Sequence, residues 1–189
     1  MTGIDRREIL ILSGGALAAS SPAQAAPARE RHSVTLTEGT NIAVAVSPNG
    51  KHVAFDLLGV IWTVPVGSGI ATRITDDLTD GAQPDWTPDS QRLVFQSYRD
   101  GNFHIWSVGV DGTGLTQLTR GPFDCREPRV SPDGKLIAFS SDATGRYAIH
   151  VIPTSGGTPR LWAQAEGQAC QPTWSPDSSK IAFAVDRAH

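Results

Sequence analysis

The chain has 189 residues, a formal net charge of −3, 39% hydrophobic residues and 19% charged residues. That is one domain of ordinary size with enough apolar content to fold. No basic stripe is visible, which removes the electrostatic footprint of a nucleic-acid binder. The 19 Gly and 13 Pro suit many short strands joined by tight turns.

Residues 1–25 read as an export signal. Arg6-Arg7 precede a modestly apolar run, Ile9 to Ala19, too short to span a bilayer as a helix. Ala23-Gln24-Ala25 has the small-residue pattern of a cleavage site. Paired arginines before a Gly- and Ala-containing core resemble a twin-arginine signal, with two departures: Asp5 precedes the pair, and Ile11 stands where a basic residue is common. The expectation is a periplasmic or secreted protein whose mature chain starts near Ala26. Residues 26–33 then form a linker, and the membrane matters only during transit. No Cys stands in the segment to carry a lipid.

Internal repetition dominates the rest. Ser47-Pro48-Asn49-Gly50, Thr87-Pro88-Asp89-Ser90, Ser131-Pro132-Asp133-Gly134 and Ser175-Pro176-Asp177-Ser178 start 40, 44 and 44 residues apart. Eight residues after each start comes Phe55, Phe95, Phe139 or Phe183, closing an apolar triplet. Pro48, Pro88, Pro132 and Pro176 preset φ for a turn, and the Ser or Thr before each can bond back to the backbone. In the second unit Asp85-Trp86 ends a first strand, Arg92–Gln96 is a second, His104–Val108 a third and Leu115–Thr119 a fourth. The second strand is apolar on both faces, as a strand covered on both sides must be. The Phe55–Trp62 interval is 7 residues, against 11 for Phe95–Trp106 and Phe139–His150. The missing residues fall in the turn between second and third strands, where length changes are tolerated.

A four-stranded unit of this kind cannot bury both of its faces alone. Stacking the units face to face around an axis solves the problem, which predicts an all-β protein, a β-propeller of four-stranded antiparallel blades. The repeats run over about 42–75, 82–119, 126–162 and 169–189, within a propeller segment at 34–189. Val34–Gly39 aligns with the fourth-strand run Gln117–Gly121, so an outer strand is expected to lead the first blade. About three and a half blades are present, and propellers typically have four to eight. The sequence therefore reads as an incomplete propeller.

Trp86-Thr87-Pro88-Asp89 to Phe95, Ser131-Pro132-Asp133-Gly134 to Phe139, and Trp174-Ser175-Pro176-Asp177 to Phe183 resemble the TolB and tricorn-type (WD40-like) propeller repeat. A narrower likeness lies in Thr37–Asn41, Phe95–Asn102, and Gly121–Asp124 with Arg126-Glu127-Pro128. These runs are similar to the N-terminal propeller of large secreted amidohydrolases. That resemblance implies a metal-dependent hydrolase domain, for which this chain supplies no residues.

No catalytic, cofactor or metal site is legible. His32, His52, His104, His150 and His189 form no H-x-H or H-E-x-x-H pattern. No G-x-S-x-G elbow occurs. Asp76, Asp77 and Asp80 read as a solvated acidic loop rather than a calcium loop. Cys125 and Cys170 occupy near-equivalent loops of adjacent blades. Export makes a disulfide chemically possible, but the distance between neighbouring loops weighs against it. The loops entering the first strands are the candidate functional surface, at one mouth of the central channel: Gln83, Asp124, Arg126, Glu127, Gln168 and Gln171. Two readings stay open there, recognition of a peptide or protein, and hydrogen bonding that only tiles the channel. For the chain as a whole the expectation is an exported propeller module without catalysis of its own, which binds a protein or peptide or gates a substrate. The alternative is the propeller portion of an exported amidohydrolase.

Overall fold

The computed structural model describes residues 9–11, 32–34 and 41–186. The chain divides into two compact units, Met1–Thr40 and Asn41–His189. In the first, β1 (Ile9–Ile11) pairs antiparallel with β2 (His32–Val34). The rest of the export-signal reading lies outside the described residues, as does the expected leading strand beyond Val34.

In the second unit three antiparallel sheets of four strands and one of two follow in chain order. Blade A holds β3 (Val44–Val46), β4 (His52–Leu57), β5 (Val60–Pro65) and β6 (Thr72–Arg73). Blade B holds β7 (Gly81–Trp86), β8 (Arg92–Ser97), β9 (His104–Gly109) and β10 (Thr116–Gln117). Blade C holds β11 (Cys125–Val130), β12 (Leu136–Ser141), β13 (Ala148–Pro153) and β14 (Arg160–Ala163). Half-blade D is β15 (Gln168–Trp174) and β16 (Ile181–Asp186). Strands pair in sequence order, and among the described residues there is no helix.

Each Ser/Thr-Pro-Asp/Asn tetrapeptide joins first strand to second with the same bonds. Ser47 Oγ donates to Asn49 Oδ1 (2.8 Å) and accepts the His52 N–H (2.9 Å), while Asn49 Oδ1 accepts the Lys51 N–H (3.0 Å). Thr87 with Asp89, Ser131 with Asp133 and Ser175 with Asp177 repeat the pattern. The fourth residue takes a left-handed φ each time, 69° at Gly50, 59° at Ser90, 73° at Gly134 and 60° at Ser178. The Ser131 hydroxyl, joined by the Lys135 N–H, lowers the Asp133 carboxyl to about 2, and Ser175 with Ser179 lowers Asp177 to about 2. Asn49 makes these bonds without a charge, so the turn requires an acceptor oxygen and not an anion.

The core lies between blades. Leu93 and Phe95 of β8 join Ala54, Ile61 and Ile74 of blade A in one cluster, while Val94, on the opposite face, joins Ile137 and Phe139 of blade C in another. The repeat Phe therefore faces the preceding sheet. Phe95 and Phe139 are fully buried. Phe55 and Phe183 are half-buried. Each of the first three Phe residues stands directly across from its third-strand partner: Phe55 from Trp62, Phe95 from Trp106 and Phe139 from His150. The register survives the shorter interval because β4 and β5 are joined by Leu58-Gly59 alone, with φ of 52° and 74°. That is the two-residue hairpin geometry whose twist matches the strands.

Fourth strands are shorter than the sequence suggests. Thr119 ends the ladder of blade B by accepting the Ile105 N–H on its hydroxyl (2.9 Å), and Thr75 does the same for Ile61 (2.9 Å). Blade C has Ala163 at that place, opposite Ile149, and β14 runs to four residues.

At the inner edge, Trp86 Nε1–H donates to the Ala45 carbonyl across the A–B junction (3.0 Å), and Trp174 Nε1–H to the Arg129 carbonyl across C–D (3.0 Å). Val130 holds that place at B–C, and there its backbone N–H donates to Asp85 Oδ2 (2.8 Å). Burial raises the Asp85 carboxyl, against the lowering pull of that bond and of Arg129. Phe139→Ala is expected to cost about 3–5 kcal/mol, the usual range for an enclosed Phe, and Phe55→Ala clearly less. Urea unfolding of the two variants measures the difference.

Candidate functional site

The mouth residues stand where each first strand begins. β7, β11 and β15 carry an irregularity between Ala82 and Asp85, Arg126 and Arg129, and Cys170 and Thr173. Inside each interruption one residue takes a left-handed φ: Gln83 at 54°, Glu127 at 58° and Gln171 at 53°. Each precedes a proline, which has no N–H for a ladder. The bulge turns the backbone N–H of Gln83, Glu127 and Gln171 toward the preceding blade.

An acceptor awaits each N–H. Asp56 Oδ2 accepts from Gln83 (2.6 Å) while its Oδ1 accepts from Ala43 (3.0 Å). Gln96 Oε1 accepts from Glu127 (2.7 Å). At the third junction Ser140 is too short to span the gap. There Glu127 Oε2 accepts the Gln171 N–H (2.5 Å) and the Ser140 hydroxyl (3.0 Å). Asp56, Gln96 and Ser140 each follow the repeat Phe directly, so the sequence marks the acceptor position by its offset from that Phe. A second row of bonds joins backbone to backbone at the strand starts: Gly81 N–H to Gly59 O (2.7 Å), Cys125 to Phe103 (2.6 Å) and Ala169 to Tyr147 (2.9 Å). Small residues suit these starts, since a Cβ on Gly81 would come within 3.1–3.2 Å of Thr79, Ile61 and Phe95.

Asp124 and Arg126 form a separate cluster. Asp124 Oδ1 accepts the Phe103 N–H (3.0 Å), and Oδ2 accepts the Tyr147 hydroxyl (3.1 Å) and Arg126 Nη2 (2.7 Å) and Nε (3.2 Å). Burial pulls the Asp124 carboxyl upward, but the Phe103 N–H and the Arg126 guanidinium outweigh it and hold the carboxyl below its ordinary range. Burial pushes Tyr147 up to about 12, with Arg126 opposing and Asp124 reinforcing. The Arg126 guanidinium lies 4.1 Å above the Phe103 ring and 5.8 Å from the Tyr147 ring, within cation–π range. Its side chain is 40% exposed. Gln168 occupies the place of Asp124 one blade later and accepts the Tyr147 N–H on Oε1 (2.8 Å). Phe103 and Tyr147 were not singled out in the sequence, where they look like ordinary residues ahead of a third strand.

Both thiols are free. Cys125 is enclosed between blades B and C, and burial pushes it up to about 11. Among the described residues no three His, Cys, Asp or Glu side chains gather as a metal site. The acidic loop is engaged internally: Asp76 Oδ1 accepts the Thr79 hydroxyl (2.7 Å), and Asp77 pairs with Arg73 (2.6 Å).

No family model matches the chain, and no curated protein matches it either. Solved structures do. A TolB-designated protein of Agrobacterium tumefaciens superposes over 80% of this chain at 22% identity with a TM-score of 0.64. TolB from Acinetobacter baumannii superposes over 82% at 22% identity with a TM-score of 0.65. The fold is that of the TolB-like β-propeller. The nidogen/laminin complex contains a further match, at 16% identity and a TM-score of 0.66 over 82% of the chain. This TolB-like segment spans 62% of the Agrobacterium chain and 40% of the Acinetobacter one, less than two thirds of either.

In the TolB-like frame Gln83, Glu127 and Gln171 are equivalent positions with unequal duties. The first and last contribute a backbone N–H to a junction, and Glu127 contributes its carboxylate as well. Glu127→Ala is expected to destabilise by about 0.5–1.5 kcal/mol, the net worth of a typical hydrogen bond, since water can take the place of the carboxylate on the exposed Gln171 N–H. Gln83→Ala should stay within about 0.5 kcal/mol, as for surface positions generally. Denaturant titration of both variants tests this.

Proposed function

We infer that the chain is an exported, non-catalytic propeller module that binds a protein or peptide segment at the mouth formed by its first-strand entries. The observation that carries the reading is Arg126. Its guanidinium is pinned to Asp124 and stacked on Phe103, yet two fifths of the side chain is exposed. A cation fixed in this way loses little freedom on meeting a partner carboxylate or carbonyl, which favours binding. The resemblance to TolB structures supports a propeller that works by contact.

Peptide selection against the folded chain tests the mouth. Selected peptides should weaken at least tenfold on Arg126→Ala and be unchanged by Lys51→Ala, which lies in a turn at the opposite end of blade A. Equal binding to the parent and Arg126→Ala proteins would overturn the assignment.

The export half rests on Arg6-Arg7 and the apolar run after them. Expressed in a bacterium with both export routes, the chain should reach the periplasm, and Arg6→Lys with Arg7→Lys should hold it in the cytoplasm. A double variant exported as well as the parent would rule out the twin-arginine route.

A further inference from the structure

At the end of the strands that carries the Ser/Thr-Pro turns, an open cleft of about 740 Å³ lies between blades B and C. That is within the roughly 300–1,000 Å³ of small-ligand sites. Val94, Leu118 and Ile137 close its inner end and are already packed into the core between the two blades. The chemistry therefore lies in its polar walls, with Asp89 and Arg92 on the blade B side and Asp133 and Gly134 on the blade C side.

At the other two junctions the facing turns are tied together. The Asn49 N–H donates to Ser90 Oγ across A–B (3.3 Å), and the Asp133 N–H donates to Ser178 Oγ across C–D (3.1 Å). The corresponding pair at B–C is Asp89 and Gly134, and both line the cleft. Gly134 has no hydroxyl, so among the described residues the Asp89 N–H has no partner on another residue. What this junction lacks, relative to its neighbours, is one hydroxyl oxygen.

The charges of the walls cancel. Lys135 Nζ pairs with Asp133 Oδ2 (3.1 Å), and Arg92 offsets Asp89. An ion of either sign would meet a like charge, which costs affinity, while a neutral ligand would not. Arg92 is held through Nε by Ser107 Oγ (2.9 Å) and through Nη2 by the Gly114 carbonyl (2.9 Å), which leaves Nη1 to donate. Asp89 Oδ1 accepts the Thr87 hydroxyl (2.6 Å) and the Gln91 N–H (3.0 Å), which leaves Oδ2 to accept. A guanidinium only donates and a carboxylate only accepts, whereas a hydroxyl does both on one atom. Walls that mix the two suit a ligand dense in hydroxyls better than a peptide backbone, which keeps donor and acceptor on separate atoms.

We propose that the B–C cleft is a second binding site, which takes a neutral saccharide unit. One sugar hydroxyl stands where Ser90 and Ser178 stand at the neighbouring junctions and accepts the Asp89 N–H. Further hydroxyls accept from Arg92 Nη1 and donate to Asp89 Oδ2. The site is at the opposite end of the strands from Arg126, and it does not rest on the peptide-binding reading of the mouth.

The test is a titration of the isotope-labelled full chain with D-glucose, D-galactose, D-mannose and N-acetyl-D-glucosamine, followed by NMR. At least one of these sugars should produce a saturable shift of the Asp89 and Gly134 amides, with NOEs from the sugar ring to cleft residues. N-acetyl-alaninamide and D-glucuronate should bind more weakly than that sugar, and Arg126→Ala should leave its binding unchanged. Gly134→Ser should weaken it about tenfold, roughly the worth of one hydrogen bond, because the added hydroxyl takes the Asp89 N–H. The backbone accepts that change: φ is 73° at Gly134 against 59° at Ser90 and 60° at Ser178, and a Cβ there meets only the Pro88 ring, at 3.5 Å. Absence of saturable shifts at the Asp89 amide with all four sugars, equal binding of the alanine amide or of glucuronate, or a folded Gly134→Ser protein that binds like the parent would each overturn the proposal. If Gly134→Ser does not fold, the NOEs in the parent protein decide.

Discussion

Every blade in this chain has a second strand that is apolar on both sides. In β8 the side chains of Leu93 and Phe95 need cover from blade A, and Val94 needs cover from blade C. A single four-stranded sheet cannot supply either, so the hydrophobic effect acts between sheets and not within them. Stacking follows, and with it the row of inter-blade cores that holds the unit together.

Apolar stacking alone is non-directional and would let blades slide. Polar bonds at the inner strands fix the register. Three backbone pairs, Gly81 with Gly59, Cys125 with Phe103 and Ala169 with Tyr147, recur at equivalent places. The bulged N–H of Gln83, Glu127 and Gln171 adds a second link at each junction. Each such bond contributes about 0.5–1.5 kcal/mol, so these groups favour one alignment of the sheets. The acceptor changes from Asp56 to Gln96 to Glu127 while the geometry holds. Where Ser140 is too short, Glu127 of its own blade reaches across instead.

Part of the mouth surface is thereby committed to assembly. Glu127 and Gln171 were candidates for recognition on sequence grounds, and both take part in the junctions. Arg126 and Asp124 differ, because their bracket leaves a guanidinium partly open to solvent. Internal variation between repeats is the more informative guide to function. A Trp stands at two junctions and Val130 at the third, a difference that no motif search of a single repeat would expose.

The sequence alone determined the all-β blades, the turns and their order, because these depend on short-range patterns. A Pro that presets φ, an oxygen on the next residue and a Phe at fixed offset act within ten residues of one another. The shortened first unit was also legible, since the register of Phe55 with Trp62 needs only a tighter hairpin. What joins one blade to the next was decided by the tertiary structure: the bulge donors, their changing acceptors and the Asp124–Arg126–Phe103–Tyr147 bracket. Such contacts link residues 21 to 45 positions apart. Their geometry comes from the stacking of sheets, which no local pattern encodes.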